Sequence, residues 1–175
     1  MIRWNPLEMD ILIGVTYGGI LGRLVRRLGY RWNHILLFIA PKGTTLPIWT
    51  YESNGRGVHD HLFQAEDYAE EYELYEPAVP LTPEEKLALV AFADGNVGKF
   101  YGLWYWAQIA WRILKDIWHR REPGRAVAFL RPGETCISFV HRCGAYVGRP
   151  ISPSSGEAGL PDDIMHSPHW RKVSR

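Results

Sequence analysis

Cysteine is scarce in this chain: there are two in 175 residues, Cys136 and Cys143. On a helix their spacing amounts to two turns and roughly 10 Å of rise, beyond the Cα separation that a disulfide spans. Both thiols are therefore expected to be free, which excludes a disulfide-stapled secreted scaffold and makes a reducing compartment the default. A charge excess of one sign is missing too. Twenty basic residues face nineteen acidic ones, so no general attraction to nucleic acid is expected. An uninterrupted apolar run of bilayer length, about 20 residues, is also absent. Residues 1–14 lack the long apolar core and small-residue cleavage site of a secretory signal, so a cytoplasmic location is expected. There are no internal repeats or low-complexity tracts. The length suits one domain, 1–175, with the Pro-, Ser- and Gly-rich stretch 149–175 as a surface-wrapping tail.

What is present alternates between short apolar runs and breakers. Asp10-Ile11-Leu12-Ile13-Gly14 is such a run, and Ile20, Leu21, Leu24, Val25 and Leu28 then recur at helical spacing with Arg23, Arg26 and Arg27 opposite, closed by Gly29. His34 to Ala40 and Pro47 to Glu52 are apolar stretches separated by Pro41-Lys42-Gly43-Thr44-Thr45, which predicts a turn between adjacent antiparallel strands. Arg56 to Phe63 and Glu71 to Val79 predict further strands, joined by the acidic stretch 66–71. Thr82-Pro83-Glu84-Glu85 supplies a capping residue, a first-turn proline and a glutamate three places on, so a helix is expected from there to about Asp94.

The segment Gly102 to Arg121 carries Trp104, Trp106, Trp111 and Trp118, with Gln108, Arg112, Lys115 and His119 in a narrow stripe. Arg112 and Lys115 interrupt it well short of a span. It reads as a buried core helix, with an interfacial helix making peripheral membrane contact as the alternative.

Cys136 has the most chemically suggestive context. Pro132-Gly133 ends whatever precedes, Glu134 or Thr135 can cap, and Ile137, Phe139, Val140 and Ala145 to Val147 supply an apolar stripe before Gly148. A thiol at a helix N-terminus feels the unpaired backbone N–H groups, which favour its thiolate. His34, about a hundred residues earlier, is a base for such a nucleophile. The competing reading makes Cys136 a small buried hydrophobe, as most free cysteines are. Cys143 has no helix-start context and reads as packing.

The order of these parts resembles the circularly permuted NlpC-type papain-like cysteine hydrolases, in particular their YiiX-like branch, and more distantly lecithin retinol acyltransferase. The resemblance rests on Asp10-Ile11-Leu12-Ile13, Asn33-His34-Ile35, Tyr51-Glu52-Ser53, Gly98-Lys99-Phe100-Tyr101, Cys136-Ile137-Ser138-Phe139-Val140, Pro161-Asp162-Asp163-Ile164 and Ser167-Pro168. Two positions depart from the pattern: Ile137 stands where serine often follows the cysteine, and Gly102 where aspartate often follows the tyrosine. The resemblance implies an α+β fold in which a small antiparallel sheet packs against a nucleophile-bearing helix. It makes Cys136 the nucleophile, His34 the general base and Glu52 the third polar residue. Opposite strand ends brought together by the hairpin agree with the last of these, although His59, Asp60 and His61 are rival orienters.

The function this implies is hydrolysis or transfer of an acyl group through a thioester, on a peptide, cell-wall peptide or lipid. The alternative is a non-catalytic binding or membrane-docking protein on the same fold. His59-Asp60-His61 places two imidazoles on one strand face and, with Cys136 or His34, could ligate zinc. No third ligand sits at a characteristic spacing, so no metal and no cofactor is expected.

Overall fold

The computed structural model describes residues 5–16, 34–54, 57–64, 72–99, 136–151 and 161–173. The expected helix after Gly14, the acidic stretch 66–71, the tryptophan-rich segment 102–121 and the lead-in 132–135 lie outside them.

The described residues form an α+β fold. Strands β1 (Met9–Thr16), β2 (His34–Pro41), β3 (Trp49–Asn54), β4 (Gly57–Leu62) and β5 (Tyr72–Pro77) precede helices α1 (Pro83–Asp94) and α2 (Cys136–Tyr146). A 3₁₀ turn (Pro161–His166) and a short strand β6 (Trp170–Lys172) follow. The six strands make one sheet in the order β4-β3-β2-β1-β5-β6, with every pairing antiparallel. The hairpin expected between β2 and β3 is there, and Gly43 takes the positive φ of 75° that its turn requires.

The central strands read as continuous apolar runs because they are buried on both faces. Ile11, Ile13, Val15, Ile35, Leu37, Ile39 and Tyr51 belong to the larger core, which they share with Leu89, Val90 and Ala93 of α1 and Ile137, Phe139, Val140 and Cys143 of α2. Leu12, Leu36, Phe38, Ala40 and Leu74 form a second cluster from the alternate positions. Gly14 belongs to that alternation. A Cβ there would stand 2.0 Å from the Phe38 ring, so the glycine leaves the room that this ring occupies.

Helix α1 begins as its sequence predicts. Thr82 accepts the Glu85 N–H at 3.2 Å, and the Glu85 carboxylate accepts the Thr82 N–H at 2.8 Å, a complete capping box followed by Pro83. Its far end is tied to the sheet by Tyr51 Oη, which donates to Asp94 at 2.6 Å. Helix α2 packs on β2, β3 and α1.

The tail differs from the surface wrap that was expected. Ile151, Ile164 and Trp170 are buried in the main core, and β6 extends the sheet by pairing with β5. Trp170 Nε1–H donates to the Arg149 carbonyl at 2.9 Å, and Ser167 Oγ–H donates to that of Pro150 at 3.2 Å. These apolar residues stand singly among Pro, Ser and polar neighbours, so no periodicity marks them as core.

Candidate functional site

The site lies where the start of β2, the end of β3 and the start of α2 meet. Cys136 is the first residue of α2, and its thiol is hydrogen-bonded to the His34 ring. It also receives the backbone N–H groups of Ile35 and Ile137. One of these comes from the strand beneath and one from the helix start itself, so two fixed dipoles point at the sulfur. Burial alone would raise the thiol's pKa, but the His34 contact and the two amides reverse that and hold it below the ordinary value.

His34 is the mirror case. Burial opposes its charged form, yet the thiol and the Glu52 carboxylate together push its pKa up to about 10. Cys136 down and His34 up are the directions in which a thiolate and an imidazolium favour one another. Glu52 Oε2 lies 2.9 Å from His34 Nε2, which leaves Nδ1 as the ring nitrogen for the thiol. Burial resists ionisation of Glu52 as well, but hydrogen bonding and charge from His34, then charge from His59, bring its pKa down to about 2.

The register shows how the two residues meet. Leu37 pairs with Tyr51, so counting back along β2 sets Glu52 against Leu36 and His34 against Asn54. His34 and Glu52 are therefore diagonal neighbours on one sheet face, within reach of long side chains, at the strand ends that the hairpin brings together. The same alternation puts Glu52 opposite His59 in the β3–β4 register.

His59 is not a rival to Glu52 for His34. Its Nε2 lies 2.7 Å from Glu52 Oε1, so the carboxylate stands between two imidazoles, one per oxygen. Asn54 Nδ2–H donates to the same Oε1 at 3.4 Å, and His59 Nδ1 faces the Gly57 carbonyl at 3.3 Å. His61 stacks on His59 with ring centroids 5.5 Å apart. The structure thus brings Cys136, His34 and Glu52 together and adds His59 and the Ile35 amide. An amide's position is invisible to sequence reasoning, whereas strand alternation from Glu52 could have found His59.

Cys143 is buried in the core, where apolar surroundings push its thiol well above the ordinary value. Both cysteines are free.

No family model and no curated protein matches the chain. Among solved structures it is similar to that of metalloprotein yiiX from Escherichia coli O157:H7, a DUF1105 protein, with a TM-score of 0.62 and 12% identity over 98% of each chain. At that identity the likeness is one of fold alone: the described residues form an α+β fold like that of yiiX. Among the described residues no helix is long and apolar enough to cross a membrane.

Proposed function

We propose that this protein is a cysteine hydrolase or acyltransferase with a circularly permuted papain-like site, acting on an amide or ester. The observation that carries the reading is the relay Cys136–His34–Glu52, with the thiol at a helix start, surroundings that favour the charged imidazole, and the carboxylate on its far nitrogen.

The Cys136 thiolate attacks the acyl carbonyl carbon, and the backbone N–H of Cys136 donates to the developing oxyanion. As the tetrahedral adduct collapses, the bond to the leaving nitrogen or oxygen breaks, and His34 supplies its proton to that atom. A thioester remains. His34, now neutral, takes a proton from water or another acceptor, which attacks the thioester carbon; the sulfur leaves as thiolate, and His34 is again imidazolium. Glu52 keeps the ring oriented and its charge matched throughout.

The acyl donor would be a peptide, a cell-wall peptide or a lipid. The yiiX structure is described as that of a metalloprotein; the acyl chemistry proposed here runs on Cys136, His34 and Glu52 without drawing on a metal. The test is turnover of a panel of acyl esters and peptide amides by the wild type and Cys136→Ala. Turnover of at least one reporter, lost in the variant and accompanied by an acyl adduct on Cys136 by mass spectrometry, supports the reading. Turnover that survives Cys136→Ala refutes it.

A further inference from the structure

We propose that Glu52, His59 and His61 form a binding site for a divalent transition-metal cation of the zinc type. One ligand atom from each of the three lies within 4.8 Å of the others. They come from adjacent positions of β3 and β4: Glu52 is paired with His59, and His61 is two residues further along the same strand face. Two imidazoles and a carboxylate are a donor set that zinc accepts, with a fourth position left for water.

The surroundings of His59 strengthen the case. A metal-binding histidine commonly donates its other ring N–H to a backbone carbonyl, which fixes the tautomer and turns the remaining lone pair toward the ion. His59 Nδ1 faces the Gly57 carbonyl at 3.3 Å. Nε2 faces Glu52 Oε1 at 2.7 Å, a hydrogen bond whose proton an incoming cation would replace, with the remaining ring proton on Nδ1 toward Gly57. A metal with bonds of about 2.0–2.1 Å would set tetrahedral donors about 3.3 Å apart, so these two atoms, 2.7 Å apart, must open by roughly 0.6 Å. The stacked His61 ring closes in from the neighbouring position. The His59 side chain is 36% exposed, so an ion has access from solvent.

This set differs from the Cys136 or His34 ligands that the sequence suggested. The remaining Glu52 oxygen, Oε2, stays on His34, so the metal would sit on the outer side of the carboxylate and would not occupy the thiol.

The experiment is isothermal titration of zinc into Cys136→Ala protein, which removes the thiol as a competing ligand and separates metal binding from the catalytic reading. One equivalent should bind. His61→Ala and His59→Gln in that background should each weaken binding at least tenfold, with circular dichroism showing the variants folded. Cobalt added to the wild type should give tetrahedral d–d absorption without a thiolate-to-cobalt charge-transfer band. Failure of Cys136→Ala to bind zinc, unchanged affinity in the folded histidine variants, or a thiolate charge-transfer band would each overturn the proposal.

Discussion

Glu52 reaches His34 on a diagonal across the β2–β3 pair, Oε2 to Nε2 at 2.9 Å, while its second oxygen holds His59 at 2.7 Å. A carboxylate clamped on both oxygens cannot swing away from the His34 ring without breaking two charge-assisted contacts. The geometry of the imidazole beside Cys136 is therefore set by β4 as well as by β3.

That arrangement predicts graded losses. Glu52→Gln keeps the shape but removes the charge that supports imidazolium, so turnover should fall by roughly 10²–10⁴ and stay measurable. His34→Ala should abolish it, and His34→Ala with Cys136→Ala should be hardly worse than either alone, because nucleophile and base act as a unit. His59→Ala, which touches only the outer oxygen, should cost less than Glu52→Gln. Steady-state kinetics should place all these losses in kcat.

Acid stability gives a second handle on Glu52. Its pKa is lowered in the folded protein from 4.5 to about 2, so the folded state binds its proton less readily than the unfolded chain does. The stabilisation is present above about pH 4.5 and is lost as pH falls through about 2. Thermal melts of the wild type and Glu52→Gln should therefore converge as the pH is lowered across that window. Parallel curves would mean that Glu52 is not preferentially charged in the fold.

Gly144 in α2 lies against the chain that returns from the helix. A Cβ there would stand 2.3 Å from the Arg149 carbonyl oxygen and 3.2 Å from its carbon, and both are backbone atoms. Gly144→Ala should cost about 1–3 kcal/mol by overpacking, a fall of several degrees in Tm. It should leave alkylation of Cys136, at the other end of the helix, unchanged.

Much of this was legible in the sequence. The β2–β3 hairpin announced itself by two apolar runs around Pro41 and Gly43, and α1 by Thr82, Pro83 and Glu85. Cys136 stood out by its helix-start context and His34 as a base at the opening of an apolar run, whereas Glu52 followed from the family resemblance, with which the hairpin agrees. What was missed depends on register and on long-range packing. The diagonal offset of His34 and Glu52 is decided by the β2–β3 pairing, and the β3–β4 register, which sets His59 opposite Glu52, turned His59 from rival into partner. Trp170 and Ile151 enter the core from a tail with no period to betray them.

The central claim is that Cys136 is a thiolate paired with imidazolium, and the most direct measurement is its rate of alkylation by iodoacetamide as a function of pH, read by peptide mass spectrometry. An ordinary thiol of pKa about 8.5 is only about 3% ionised at pH 7, so full ionisation raises its reactive fraction roughly thirtyfold. A thiolate held by imidazolium, the state toward which the lowered Cys136 pKa and the raised His34 pKa both point, predicts a rate that is flat across neutral pH and falls only on the acid side. Cys143 should react negligibly, and His34→Ala should abolish the plateau. A Cys136 rate that climbs steadily toward pH 9, or one no faster than that of Cys143, would contradict the account.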